Sequence, residues 1–304
     1  MYKSHQWLFV TDSSLICDIV TKYSIAAMEM YGLDDLEEHL TFCPQCNLPL
    51  YQKDDHIKFM LFSCRSCGYE VQQDYFYSLE NKKINGIPVL PPIKSQKRGA
   101  CIPTSLLTIH EIALRTQKAE MKEEFHCELS VDHLLEQYKE KKGCGYLEDN
   151  SCDKDQRRKL TCTEIMLEDG VSCSHDDEAF CSQYPNSKTK GTENYKIEEV
   201  CHLKNLSFND IAGFVLKGHA LNIRIPITKQ FAQLKTGDMY IADKKMVKAV
   251  NYCEIWHSVV IVRFGRREGV NYFRFMNSHG PDFCDKGFAD VRAADITEAF
   301  LLKI

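Results

Sequence analysis

The chain has 304 residues, which is enough for one large domain or two ordinary ones. Its 44% hydrophobic and 27% charged residues are typical of a globular protein rather than a disordered chain. Because the net charge is −5 and no apolar run reaches membrane-spanning length, neither direct nucleic-acid binding nor a membrane protein is expected.

The first part of the chain does not read as a signal peptide. The apolar run at residues 7–10 ends at Thr11 and Asp12, and is too short for the apolar core of such a signal. The fifteen cysteines are therefore expected in a reducing nucleus or cytoplasm, as zinc ligands, a nucleophile or small buried groups. Residues 1–40 are predicted to be a helical segment, since apolar residues recur there at helical spacing.

Two Cys-x-x-Cys pairs follow, Cys43 with Cys46 and Cys64 with Cys67. Four thiolates at this spacing are typical of a closed tetrahedral zinc site, and fit it better than free thiols or two disulfides. A domain of a few tens of residues buries too little apolar surface to fold alone, so zinc binding and folding are expected to be one event. Gly68, directly after the second pair, suits a turn that needs a positive φ.

Residues 41–84 resemble the N-terminal zinc ribbon of the small zinc-ribbon subunit of eukaryotic RNA polymerase II. The resemblance includes both cysteine pairs, the apolar run FMLF at residues 59–62 and the sequence CRSCGY that begins at Cys64. It implies a structural zinc ion and a module that docks on a protein complex, with RNA polymerase as a candidate partner. The second zinc ribbon of such a subunit is absent, and a different kind of sequence follows.

The rest of the chain begins with a segment that contains three prolines, residues 85–95, which predicts an extended linker. A helix is predicted over about 104–117 from its apolar spacing. Residues 140–195 are polar, contain five cysteines, and show one clear helix at about 161–168. Strands are predicted at 220–225, 257–262 and 270–275. Helices first and antiparallel strands later indicate the α+β class.

Three segments of this region resemble the active-site segments of papain-like cysteine proteases. QKRGAC, from Gln96 to Cys101, resembles the family's glutamine turn and its nucleophilic cysteine at the head of a long helix. WHSVVIV, which contains His257, resembles the histidine strand, and MNSHG, which contains Asn277, resembles the Asn-Ser-Trp-Gly turn. The order of the four residues along the chain agrees with the order in the family.

The resemblance implies a role for each of these residues. Cys101 would be the nucleophile, kept as a thiolate by the positive end of its helix. His257 would take the thiol proton and return it to the leaving amine, and Asn277 would orient the imidazole. Gln96 and the Cys101 N–H would hold the oxyanion. Because His279 replaces the tryptophan, the shield over the histidine–asparagine hydrogen bond is expected to be lost.

We therefore predict a zinc ribbon at residues 41–84 and a papain-like domain at residues 85–304. That domain would have an N-terminal helical lobe, a C-terminal antiparallel β lobe, and a polar insertion at about 140–195. The expected function is a thiol peptidase that acts on proteins or peptides. The alternatives are a catalytically silent binding protein that mimics the polymerase subunit, and a transferase or deubiquitinase-like enzyme on the same fold.

Two other features of residues 140–195 have simpler interpretations. A second metal site is conceivable, but irregular spacing favours scattered thiols; its candidate ligands are Cys144, Cys152, Cys162, Cys173, His175 and Cys181. The basic run at residues 157–159 is predicted to be solvated surface.

Overall fold

The computed structural model describes residues 9–10, 43–48, 50–52, 61–72, 74–97, 99–148, 154–174, 194–242 and 256–304. Of the helical segment predicted for residues 1–40, only strand β1 (Phe9–Val10) is described, and the rest lies outside the described residues. None of the described helices is both long enough and apolar enough to cross a bilayer.

The zinc ribbon is a small antiparallel sheet with the strand order β2-β3-β4. Its strands are β2 (Tyr51–Gln52), β3 (Leu61–Ser63) and β4 (Glu70–Gln72). Among the described residues, its buried core consists of Cys43, Leu50 and Cys64. So small a core agrees with a domain that depends on metal binding to fold.

The region between the ribbon and the first helix contains more structure than the sequence predicted. Strand β5 (Tyr75–Ser78) pairs with residues 263–266 of the larger sheet. The segment predicted to be the ribbon, residues 41–84, therefore includes a strand of the larger sheet. The predicted linker begins with a hairpin, β6 (Lys83–Ile84) and β7 (Ile87–Pro88), rather than an extended chain. Asn85 and Gly86 between these strands have φ values of 50° and 84°, as a tight hairpin turn requires.

The structure describes four α-helices. They are α1 (Cys101–Glu120), α2 (Val131–Lys142), α3 (Lys154–Glu168) and α4 (Phe208–Leu216). The first is three residues longer at each end than the sequence predicted. The second begins at Ser130, whose side chain accepts a hydrogen bond from the N–H of His133, and ends at Gly143 with a φ of 71°.

Helix α3 shows that residues 140–195 are not simply a polar insertion. Its residues Cys162, Ile165 and Met166 are fully buried in the same apolar core as α1 and the larger sheet. The polar composition was misleading because α3 buries apolar residues on one face, although charged residues are also frequent in its sequence. Part of the predicted insertion is therefore structural core.

Besides β1 and β5, the larger sheet contains the strands β8 (Glu199–Lys204), β9 (Leu221–Pro226), β10 (Met239–Tyr240), β11 (Trp256–Arg267), β12 (Val270–Met276), β13 (Phe288–Arg292) and β14 (Glu298–Lys303). Its strand order is β1-β8-β14-β9-β11-β12-β13-β10, and β5 also pairs with β11. The three strands predicted from the sequence are confirmed as β9, β11 and β12, and with them the α+β class. The long strand β11 pairs with β9 along its first half and with β5 along its second.

The cysteines of the larger domain have varied environments. Cys127 and Cys173 form a disulfide with Cα atoms 5.7 Å apart, so the expectation that cysteines outside the ribbon stay unpaired is wrong for these two. Cys162 is buried in the core, and Cys152 and Cys181 lie outside the described residues. Within the described ranges, donor atoms with metal-binding spacing gather only at the ribbon cysteines.

Candidate functional site

The four ribbon cysteines bring their sulfur atoms to one point, with all four Sγ atoms within 4.8 Å of one another. Cys43 and Cys67 are separated by 3.5 Å between sulfurs, and Cys46 and Cys64 by 3.4 Å. A tetrahedral zinc ion with Zn–S bonds near 2.3 Å would separate its sulfurs by about 3.8 Å. The donor set therefore fits a structural zinc ion, with all four positions supplied by the protein.

Both cysteine pairs are held by the same kind of turn. The backbone N–H groups of Cys43 and Cys64 each donate to the carbonyl five residues later, at 2.7 and 2.8 Å. Asn47 and Gly68, which directly follow the pairs, have φ values of 54° and 73°. Gly68 therefore adopts the conformation predicted from the sequence, and asparagine is among the few other residues that readily do so.

Cys101 is the first residue of α1 and is half-buried. Burial raises the pKa of its thiol above the ordinary value, although hydrogen bonds from the backbone of Ser258 and Ile102 favour the thiolate. The charge of Asp155 raises the pKa further, and that of Lys159 lowers it. Burial therefore opposes the stabilisation that the helix terminus would give a thiolate.

His257 lies near the start of β11 and forms a hydrogen bond with Asn277, which directly follows β12. The Nε2–Oδ1 distance is 2.6 Å, and both residues are only 3% exposed. Because Asn277 Oδ1 also accepts the backbone N–H of Ser278 at 2.9 Å, the amide oxygen faces the ring and Nε2 is the donor. The other ring nitrogen, Nδ1, is left as the basic atom.

Burial lowers the pKa of His257 to about 4, even though the hydrogen bond to Asn277 opposes the shift. The nearby His279 lowers the pKa further. At neutral pH the imidazole is therefore uncharged, as a group that is to accept a proton must be.

The pair is covered by aromatic rings, contrary to the sequence-based expectation. The ring centroid of His279 lies 4.7 Å from that of His257, and Phe231 meets His257 edge-on at 5.4 Å. Phe283 packs against His279 at 5.7 Å. The shield over the histidine–asparagine bond is therefore retained, because His279 itself supplies a ring in the position where a tryptophan was expected.

Gln96 lies on the loop that precedes α1, beside the turn that carries Asn277. Its backbone N–H donates to the carbonyl of Ser278 at 2.7 Å, and the neighbouring Ser95 forms a β-bridge with His279. The Ser278 hydroxyl donates to Gln96 Oε1. Because the amide oxygen is engaged, the amide NH₂ remains available as a donor for a ligand.

A buried polar network joins α1 to β11 and was missed in the sequence analysis. Ser105, one turn after Cys101, donates to the hydroxyl of Ser258, the residue after His257, at 2.8 Å. Asn222 Nδ2 donates to both serine hydroxyls, at 2.8 and 2.9 Å. The start of α1 and the start of β11 are therefore packed against each other. The signal available in the sequence was an asparagine inside the apolar strand β9.

Lys159 completes this network, with Nζ donating to Asn222 Oδ1 at 2.6 Å. Lys159 is 4% exposed, and the Arg158 guanidinium stacks on the ring of Tyr146 at 4.6 Å from the ring centroid. The prediction that residues 157–159 are solvated surface is therefore wrong at both of these positions. The apolar stems of these long side chains allow them to lie in the interior when the charged ends find partners.

Comparisons with protein-family models agree with both sequence resemblances. Residues 80–299 match the papain family cysteine protease model, and residues 40–76 match the zinc-ribbon model of the RNA polymerases M/15 Kd subunit. Among curated proteins, none matches the chain.

The fold is similar to those of several solved cysteine proteases. Bromelain from Ananas comosus, solved with the E64 inhibitor, is 15% identical with a TM-score of 0.50, covering 75% of this chain and 98% of its own. Procathepsin L 3 of Tenebrio molitor larval midgut is 16% identical with a TM-score of 0.51, covering 71% of this chain and 67% of its own. A structure from work on the mite allergens Blo t 1 and Der p 1 is 15% identical with a TM-score of 0.51, covering 80% and 74%. At such identities the likeness shows the fold alone.

Proposed function

Because the chain belongs to the papain family of cysteine proteases, we propose that it hydrolyses peptide bonds with Cys101 as nucleophile and His257 as general base. The observation that supports this most strongly is the buried hydrogen bond of 2.6 Å between His257 and Asn277. It fixes the imidazole tautomer so that Nδ1 can take a proton, on a strand packed against the helix that begins at Cys101.

In the proposed reaction, the Cys101 sulfur forms a bond to the peptide carbonyl carbon while its proton moves to His257 Nδ1. The carbonyl oxygen becomes an oxyanion, which accepts hydrogen bonds from the Gln96 amide and the Cys101 backbone N–H. The C–N bond then breaks, and His257 returns the proton to the leaving amine. Water, deprotonated by His257, hydrolyses the thioester and restores the thiol.

The pKa directions give this reaction a particular resting state. Burial raises the pKa of Cys101 and lowers that of His257 to about 4, so burial favours the uncharged form of both groups before substrate binds. We propose that the proton moves together with attack on the carbonyl, rather than before substrate binds. Asn277 stabilises the imidazolium that forms, because its Oδ1 accepts a hydrogen bond from Nε2–H.

We propose that the zinc ribbon positions the peptidase domain on a protein complex, with an RNA polymerase as the first candidate. On the ribbon, Leu48 and Tyr51 are 46% and 42% exposed, and the Arg65 guanidinium lies 4.2 Å from the Tyr51 ring centroid. Exposed aromatic and arginine side chains are enriched where proteins bind one another. Co-purification of polymerase subunits with the full chain, and their loss with Cys43→Ser, would support this role.

Cleavage of an unfolded protein substrate tests the activity. The wild-type chain and Cys144→Ala, which changes another half-buried free cysteine, are expected to cleave it at equal rates. Cys101→Ala is expected to cleave at the background rate, because it has no nucleophile. If the wild type and Cys101→Ala were equally inactive while the full chain still captured a protein complex, the silent binding protein would be the better account.

A further inference from the structure

A cavity of about 200 Å³ lies beside the buried network that contains Lys159. Helix α3 and strands β8, β9 and β14 contribute its walls. The side chains that matter chemically are Asp155, Lys159, His202, Arg224, Glu298 and Phe300. The exposed Lys204 lies at its rim, so the cavity is open to solvent.

Lys159 is a buried amine that forms no ion pair with a carboxylate among the described residues. Its Nζ donates to the Asn222 amide oxygen at 2.6 Å and lies 3.9 Å from the Phe300 ring centroid. Burial and the nearby Arg224 lower the pKa of Lys159 to about 7, although the charges of Glu298 and Asp155 oppose the shift. Removing a cation from water without an anionic partner is costly, and an anion in the cavity would reduce that cost.

The carboxylate of Glu298, which lines the cavity, already has partners of its own. Glu298 lies 3.2 Å from His202 Nε2 and 3.9 Å from Arg224. The hydrogen bond from His202 is the main reason that the pKa of Glu298 falls to about 2, so Glu298 stays ionised. Arg224 also stacks on the Trp256 ring at 4.7 Å, which holds its guanidinium at the cavity wall.

The cavity is close to the proposed nucleophile. Asn222 connects Lys159 to Ser105 and Ser258, which lie one helical turn from Cys101 and next to His257. Asp155 and Lys159 both act electrostatically on the Cys101 thiol. A chain segment held at Cys101 could therefore place a side chain in this cavity.

We infer that the cavity receives an acidic side chain of the bound peptide, whose carboxylate pairs with Lys159 while its methylene groups pack on Phe300. Arg224 supplies a second cationic group at the wall. That the bound peptide is a substrate rests on the proposed function, whereas the preference for an acidic side chain depends only on the cavity. Lys159 then determines specificity in addition to completing the buried network around Asn222.

The test uses the full chain carrying Cys101→Ala, so that binding is measured without cleavage. Acetylated, amidated peptides with a single Glu are compared by calorimetry with matched peptides that carry Gln at the same position, each position in turn. At one position we expect the Glu peptide to bind at least about tenfold more tightly, as a charge-assisted hydrogen bond in a buried site would give. Adding Lys159→Met should abolish this preference.

Two further variants keep the test decisive. Lys204→Met, at the exposed rim, should leave the preference within about twofold, because exposed charges contribute little. Arg224→Met, at a less buried position, should weaken the preference for Glu severalfold. It replaces Lys159→Met as the test variant if Lys159→Met does not fold.

Equal binding of Glu and Gln peptides at every position, or a preference that survives Lys159→Met, would overturn the inference. Peptides with a free C-terminal carboxylate should not gain the same affinity as the Glu peptides. If they did so at every peptide length, the cavity would respond to negative charge in general rather than to a side chain, and the inference would be overturned. A Glu preference in a chain whose wild type cleaves nothing would support the cavity while the proposed peptidase activity fails.

Discussion

The zinc ribbon and the peptidase domain are stabilised in contrasting ways. In the ribbon, the described core is Cys43, Leu50 and Cys64, and four sulfurs meet at one point. In the peptidase domain, one extensive apolar core packs four helices against the larger sheet, and a network of buried polar groups surrounds Asn222.

The difference separates folding from function. In the ribbon, the residues that bind the ion also hold the fold together, so the loss of one ligand should unfold the ribbon. In the peptidase domain, Cys101 and His257 are carried by elements that the apolar core already holds, so each can be changed without unfolding the protein. Experiments that remove metal, catalytic groups and buried polar groups should therefore have distinct outcomes in the two regions.

The largest effect is expected from Cys43→Ser, which removes a zinc ligand. Structural zinc contributes on the order of 10 kcal/mol to the folding of such small domains, so the ribbon should lose its metal and unfold. Elemental analysis should show one zinc per wild-type chain and none in the variant, and hydrogen exchange should rise in the ribbon alone. Cys144→Ser should retain the zinc. Loss of protection throughout the peptidase domain would contradict the separation of the two regions.

The next effect is expected from His257→Ala. Removing the general base should lower kcat/KM for peptide cleavage by about 10²–10⁴-fold. The variant should remain folded, because the apolar core holds β11, and zinc content should not change. His219→Ala, at a histidine outside the site, is the comparison variant and should retain activity. Equal activity of the two variants would remove His257 from the mechanism.

A moderate loss of stability is expected from Asn222→Ala. The change leaves the Lys159 ammonium and two serine hydroxyls without their amide partner in the interior. Leaving buried polar groups unsatisfied should lower the free energy of unfolding by about 2–3 kcal/mol. Chemical denaturation measures this, with the exposed Asn205→Gly as a control expected to stay within about 0.5 kcal/mol. A neutral result for Asn222→Ala would mean that water replaces the amide.

The effect that builds most gradually is expected from acid. Burial lowers the pKa of both His110 and His257 from 6.5 to about 4, so between these values the unfolded chain binds more protons than the folded one. Stability should therefore fall as pH decreases from 6.5 to 4, by at most about 1.4 kcal/mol per pH unit for each histidine. His110→Gln should flatten this dependence more than His126→Gln, at a partly exposed histidine that lies 3.2 Å from Glu124. Identical pH profiles for all three proteins would contradict the assignment.

The two regions also differ in how much the sequence alone could predict. The ribbon was predictable because its ligands are close along the chain and Gly68 marks its turn. In the peptidase domain, the segments with Cys101, His257 and Asn277 were identified by resemblance, and the predicted central strands proved correct.

What the sequence could not predict depends on contacts between distant segments. Lys159 seemed solvated because a basic run is usually on the surface, yet it meets Asn222, 63 residues away. His279 seemed to remove a shield, but its ring packs against that of His257. The hairpin at Asn85 was overlooked because the neighbouring prolines suggested an extended linker. In each case a tertiary partner decided the outcome.

The most direct test of the central proposal is the capture of Cys101 by an epoxide inhibitor of thiol proteases, followed across pH by mass spectrometry. We expect a single adduct at Cys101 that forms slowly at acidic pH and faster as pH rises, and that is greatly reduced in His257→Ala. An adduct distributed over several cysteines, or capture at Cys101 that does not depend on His257, would contradict the proposal that these two residues act together.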